Sequence, residues 1–197
     1  PGAYSVSVAL PQGHAALEPG DRRLEDGALV SILAGNALNT GFSGTINVRM
    51  AEHQMALDIG SVLPGRLGDF CWLDLNGNGL QDGDEGGVPG VTIELMRNGT
   101  VAATAVSDQY GYYVIKDLYP GEYTLRVTAP AQVKPTVMRT DLPMIVSVLG
   151  ENGESGLVPV ESDGANYDAD LGFVLVEKDR YPEGYGEGAT QNWDFQR

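Results

Sequence analysis

The chain has 197 residues, 27 acids against 12 lysines and arginines, a formal net charge of −15 and a pI near 4.3. Nucleic acid and anionic membranes both select a cationic surface, so this balance argues against either as a partner. A single cysteine, Cys71, rules out an internal disulfide, and no apolar run approaches the ~20 residues of a membrane span.

From the start of the chain, Pro1-Gly2 leads into Tyr4 to Leu10, where apolar and polar side chains alternate up to Pro11. Period two puts one set of side chains on one face, which predicts a half-buried strand. The same pattern returns at Pro120-Gly121, Tyr123 to Ala129 and Pro130. A second pair of segments also matches, Leu57-Asp58-Ile59-Gly60 with Ala169-Asp170-Leu171-Gly172. Residues 1–63 therefore read as the second half of a domain whose first half is missing, and residues 66–176 as one whole domain of that kind. Half of such a domain leaves apolar surface and strand edges open, so a neighbouring repeat or a second chain is expected to complete residues 1–63. No signal peptide is visible, and Pro1-Gly2 resembles the interior of a longer protein.

Leu67 to Leu73 is short, apolar and aromatic, as strands are. Cys71 falls within it and reads as an inert core thiol. Asp74-Leu75-Asn76-Gly77-Asn78-Gly79-Leu80-Gln81-Asp82-Gly83-Asp84-Glu85 follows, and it fits the twelve-residue calcium loop at every fixed position. Calcium takes six to eight oxygens at flexible distances. Asp74, Asn76 and Asn78 would supply side-chain oxygens, Leu80 its carbonyl, Asp82 a further oxygen, and Glu85 both of its own. Gly79 falls where the loop turns sharply. The alternative is a polar, glycine-rich surface turn. Gly86 to Gly90 contains Pro89 and cannot continue as a helix, so the loop hangs between β segments. An ion there would fix a turn rather than swing a helix.

Val91 to Leu95 alternates again, and Asn98-Gly99 predicts a two-residue hairpin before Val101. Asn98-Gly99-Thr100 is also a glycosylation sequon, which the hairpin turn explains better. Tyr110 to Ile115 reads as a further strand, in which alternation buries about half of the tyrosines. Long helical periodicity is absent, and 27 glycines with 11 prolines suit an all-β chain with many turns. Residues 177–197, with Pro182, Gly184, Gly186 and Gly188, read as a linker or tail.

The run Leu67 to Asp82, then Gly90 to Ile93, Ser107-Asp108 to Tyr113, and Leu118 to Tyr123, resembles the SdrD B-like repeat of serine-aspartate repeat adhesins. The resemblance covers 66–176 closely and 1–63 as a partial copy. It implies a Greek-key β-sandwich of the prealbumin and immunoglobulin kind, outside the cell, on a Gram-positive surface. It implies a calcium-stiffened rod in a stalk, with the metal on Asp74 to Glu85. It also implies further ions, for which Asp108, Asp163, Asp168 and Asp170 are candidates and ordinary turn acids the alternative. Related Cna B-type domains carry a lysine-to-asparagine or lysine-to-aspartate isopeptide bond. Lysine occurs here only at 116, 134 and 178, with none on the first strand of 66–176, so no such crosslink is expected.

Catalysis finds little support. His14 and His53 are the only histidines and sit in no motif, no G-x-S-x-G elbow occurs, and a narrow sandwich offers no obvious cleft. Two functions stay open: a calcium-stabilised spacer of a surface adhesin or filament, and a binding module that recognises a host protein or glycan through loops or an edge strand.

Overall fold

A computed structural model describes residues 1–16, 33–34, 40–43, 46–48, 50, 59–136 and 147–177. His53 and the 177–197 tail beyond Glu177 lie outside them. No helix occurs among the described residues, and none is long and apolar enough to cross a membrane. The chain divides into two compact units, Pro1–Gly65 and Arg66–Arg197.

In the first unit the strands are β1 (Gly2–Tyr4), β2 (Ser7–Ala9), β3 (Ala15–Ala16), β4 (Leu33–Ala34), β5 (Thr40–Ser43), β6 (Ile46–Val48) and β7 (Ser61–Val62). They form three small antiparallel arrangements, β1 with β6, β2 with β5 and β4, and β3 with β7. The single strand expected over Tyr4 to Leu10 is two strands. The Ser43 hydroxyl oxygen takes the Val6 N–H at 2.7 Å, while the Ser43 N–H donates to the Val6 carbonyl at 2.8 Å. A side chain there replaces one rung of the ladder. His14 is half-buried and shares a 3.0 Å hydrogen bond with the Ser61 hydroxyl.

The second unit opens with β8 (Gly65–Leu73), then β9 (Thr92–Arg97), β10 (Thr100–Val106), β11 (Tyr112–Leu118), β12 (Gly121–Thr128), β13 (Val133–Pro135), β14 (Val158–Val160), β15 (Ala165–Asn166) and β16 (Leu171–Leu175). One sheet runs β10-β9-β12-β14 and the other β11-β8-β16-β13, with β15 also on β8. Their inner faces meet in one core that holds Leu67, Leu73, Ile93, Leu95, Leu125, Leu171 and Phe173, all fully buried. Burying apolar surface is the main driving force for this packing. β8 is covered on both faces, which is why it reads as a continuous apolar run instead of an alternating one. Asn98 and Gly99 take left-handed φ values of 51° and 77° between β9 and β10, as a tight hairpin requires. Tyr113 is buried and donates to the Ala169 carbonyl at 2.6 Å, whereas Tyr110 is half exposed. Cys71 lies fully inside, and burial pushes its thiol well above the usual range. Lys116 and Lys134 both lie exposed.

The two units share a pattern of pairing. Gly2 faces Val48 and Tyr4 faces Ile46, as Gly121 faces Val160 and Tyr123 faces Val158. β3 runs antiparallel to β7, as β13 does to β16. The serine rung recurs too: the Ser155 hydroxyl oxygen takes the Leu125 N–H at 2.7 Å, and the Ser155 N–H donates to the Leu125 carbonyl at 2.9 Å. There the strand is not broken, because β12 is held on its other side by β9.

Candidate metal centre

β8 carries the chain through the middle of its sheet and delivers Asp74 at its end, where the Asp74 N–H donates to the Phe173 carbonyl at 2.7 Å. The next residues cannot stay in the sheet. They fold back so that the Leu73 N–H meets the Gly86 carbonyl at 2.8 Å and the Val88 N–H meets the Cys71 carbonyl at 2.8 Å. The loop 74–85 is thus closed at its base by backbone on both sides. Gly79, with φ of 76°, makes the internal turn that a side chain would strain.

Both terminal acids of the loop are buried, Asp74 at 2% and Glu85 at 3% exposure. Asp74 is the hub. One of its oxygens accepts from the Gly77 N–H at 2.7 Å and the Asn78 N–H at 3.1 Å. The other accepts from the Gly79 N–H at 2.8 Å and from the hydroxyl of Thr136, beside β13. Glu85 spans the loop, with one oxygen on the Leu75 N–H at 2.8 Å and the other on the Asp82 N–H at 3.0 Å. Asp82 Oδ2 accepts from the side-chain amides of Asn76 at 2.7 Å and Asn78 at 2.9 Å. Burial pushes the Glu85 carboxyl up, and Asp74 and Asp82 add to the push, while the two N–H groups oppose it.

The structure therefore brings all six expected residues into one hydrogen-bonded loop, but the side-chain oxygens of Asp74, Asn76, Asn78, Asp82 and Glu85 face the loop's own donors, and Leu80 joins through its N–H. The Leu80 N–H donates to Asn78 Oδ1 at 2.7 Å. As they stand, no three histidine, cysteine or acidic side chains among the described residues gather closely enough to hold a metal. The donor set is all oxygen and carries three carboxylates, which suits a hard divalent cation. No basic side chain forms an ion pair with them among the described residues.

A second acidic group lies on the same β8. Asp69 is 4% exposed, and Asp170, just before β16, is 8% exposed. One carboxylate oxygen on each, Oδ1, is buried without any hydrogen-bond donor. Asp69 is pushed up to about 7 by burial and then by the charge of Asp168. Asp170 is pushed up to about 8 by burial and then by Asp69 and Asp168. Two desolvated like charges without a cation are costly, which is the physical meaning of those shifts. Of the further candidates, Asp168 and Asp170 belong to this group. Asp108 instead organises a turn, with one oxygen on the N–H groups of Tyr110 at 2.8 Å and Tyr112 at 2.9 Å. Asp163 is an exposed turn residue with φ of 57°. Asp69 was missed by motif reading, and its signal was an acid inside an otherwise apolar strand.

The sandwich also carries an open groove, which the sequence did not make obvious. It holds about 450 Å³ on the outer side of β9 and β12, lined among others by Met96, Thr124, Arg126, Glu154 and Leu157. Arg126 pairs there with Glu94 at 2.8 Å.

Fold and loop together define a two-sheet β-sandwich module whose central strand runs into a buried acidic turn. The family model of the SdrD B-like domain matches residues 65–173, and the chain belongs to that family. Over 144 residues it is 38% identical to serine-aspartate repeat-containing protein D of Staphylococcus aureus strain Newman, which covers 71% of this chain and 10% of that protein. Over 149 residues it is 32% identical to the bone sialoprotein-binding protein of Staphylococcus aureus strain MRSA252, covering 73% of this chain and 12% of that one. The chain thus spans about a tenth of these relatives. A minor pilin of Streptococcus agalactiae aligns with a TM-score of 0.40 at 15% identity, over 79% of this chain and 70% of that one, too loosely to argue from.

Proposed function

We propose that this chain is a calcium-stabilised spacer of a bacterial surface adhesin or filament, exposed outside a Gram-positive-type cell. The observation that carries this reading is burial of acids without cationic partners among the described residues, at the end of β8 and in its middle: Asp74 and Glu85 at the end, Asp69 and Asp170 further back. Asp74, Asn76, Asn78, Asp82 and Glu85 with the Leu80 carbonyl would hold one calcium ion, and Asp69, Asp168 and Asp170 a second. Bound calcium would supply positive charge to acids that otherwise repel, with a Kd on the order of 10⁻⁴–10⁻³ M for an extracellular site. The residues themselves tie the end of β8 to residues 86–88 and, through Thr136, to β13. That bracing of one sheet is what a load-bearing rod needs. A spacer repeats one unit without new chemistry, and the matching strand pairs of the two units support reading 1–63 as a partial copy.

Melting curves with calcium and with chelator test the reading: calcium should raise the transition of 66–176, and identical curves would refute it. The second site has its own signature. In chelator, Asp69 and Asp170 hold protons in the folded state that the unfolded chain releases, since their folded values near 7 and 8 exceed 3.8. The native state then binds more protons than the unfolded chain, so stability falls as pH rises from about 4 to 8. Calcium should flatten that decline, and so should Asp69→Asn. A slope unchanged by either would remove the second ion.

The partial unit is proposed to be completed by a strand from a neighbouring repeat or a second chain. Among the described residues, β1 and β2 lack the flanking partner that β9 gives β12. Fusing a preceding repeat to Pro1 should protect the Tyr4 to Ala9 amides from hydrogen exchange. Unchanged exchange would sink that proposal.

A further inference from the structure

Four Asn-Gly pairs occur in this chain, Asn76-Gly77, Asn78-Gly79, Asn98-Gly99 and Asn152-Gly153. An asparagine followed by glycine is the dipeptide most open to spontaneous deamidation, because the glycine has no side chain to hinder ring closure. The glycine nitrogen loses its proton and attacks the asparagine Cγ. The new N–C bond expels ammonia and leaves a five-membered succinimide, and water then opens either carbonyl to give aspartate or isoaspartate. The ring-closing attack needs the glycine N–H to be free.

The structure separates the four pairs on that criterion. The Gly77 N–H donates to Asp74 at 2.7 Å and the Gly79 N–H to the other Asp74 oxygen at 2.8 Å. The Gly153 N–H donates to the Gly150 carbonyl at 2.9 Å, and Gly153 is buried. Asn76 and Asn78 are further restrained, since each side-chain oxygen accepts a backbone N–H and each amide donates to Asp82. At the hairpin tip, Asn98 and Gly99 are exposed, and no described group accepts from the Gly99 N–H. A hydrogen bond to a carboxylate is stronger than one between neutral groups, so the loop glycines are the better held.

We infer that Asn98, of the four Asn-Gly pairs, is the one that modifies spontaneously, converting to aspartate or isoaspartate, while Asp74 guards Asn76 and Asn78 by holding the N–H groups that would attack them. Asp74 thereby keeps the asparagine side chains of the loop intact. Conversion at Asn98 adds a negative charge on the rim of the groove that Glu122 and Glu154 also line. The guard acts through hydrogen bonds within the chain, so it does not require calcium.

Peptide mapping by mass spectrometry after incubation at mildly alkaline pH tests this. In the folded protein Asn98 should convert at least about tenfold faster than Asn76, Asn78 or Asn152, the factor expected when one hydrogen bond must first break. In urea all four should converge on similar rates. The ordering should already hold in chelator, where no ion is bound, which separates this inference from the fate of the metal reading. Asp74→Asn, which turns one acceptor oxygen into a donor, should speed conversion of Asn76 or Asn78. Should that variant not fold, hydrogen exchange on the unaltered chain gives the same information: Gly99 should exchange faster than Gly77, Gly79 and Gly153. Comparable rates at Asn98 and the loop asparagines in the folded state, or a Gly99 amide as protected as the others, would overturn it.

Discussion

Glu85→Ala should cost this protein most of the stabilisation that calcium confers. Glu85 is the residue that can offer two oxygens to one ion, and it is buried at the point where the loop rejoins the sheet. If calcium stands at about ten times its dissociation constant, mass action adds about 1.4 kcal/mol to the native state. That amount moves the transition of a domain this size by several degrees. The structure adds a second cost. Both Glu85 oxygens accept backbone N–H groups, from Leu75 and Asp82, at 2.8 and 3.0 Å. Truncation leaves those donors unpaired, so the variant should also melt lower in chelator, by about 1–3 kcal/mol. The quantity that decides is therefore the calcium-induced shift, measured on both proteins. A variant that melts lower but keeps the full shift would show that Glu85 closes the turn and binds nothing.

A larger loss is expected from Gly111→Ala, through sterics alone. Three stretches of backbone cross where β8, residues 86–88 and the turn before β11 meet. A Cβ at Gly111 would lie 2.5 Å from the Cys71 carbonyl oxygen and 2.7 Å from the Gly87 Cα. Its φ of 94° is itself unfavourable for a side chain. Neither neighbour is a flexible side-chain tip, so the sheet must open. The Cys71 N–H donates to the Gly111 carbonyl at 2.8 Å, and that bond would go too. A destabilisation of about 4 kcal/mol or more follows, at the extreme of single substitutions. Gly83→Ala is the control. Its Cβ would meet nothing within 4 Å, and its effect should stay within about 0.5 kcal/mol. Denaturant melts of the two variants beside the parent check both numbers. Equal, small losses would mean that the crossing is looser than the structure shows.

Much of the fold was legible because strand signals are local. Alternation located β9 and β12, and Asn98-Gly99 located β10, the neighbour of β9, through its hairpin. The loop from Asp74 to Glu85 was legible for a related reason. Its spacing is a property of twelve consecutive residues, and the structure does close them into one unit. What spacing could not show is where the oxygens point. Asp74 spends its lone pairs on Gly77, Asn78, Gly79 and Thr136, the last 62 residues away. The split of the first strand at Ser5-Val6 was equally hidden, since it depends on a hydroxyl from Ser43.

Asp69 marks the sharpest limit of a linear reading. In sequence it is one acid in an apolar strand, and nothing nearby gives it a role. Only the parallel pairing of β16 with β8 sets Asp170 beside it, a hundred residues on, and turns two ordinary carboxylates into a desolvated pair.

The amino-acid order by itself determined the β class, the hairpin and the twelve-residue acidic turn, because each is encoded in a few adjacent side chains and backbone preferences. Tertiary packing alone decided which acids lose their water, which N–H groups are held, and where glycine is obligatory. Those outcomes depend on chain segments brought together from far apart, and desolvation and close contact have no counterpart along an extended chain.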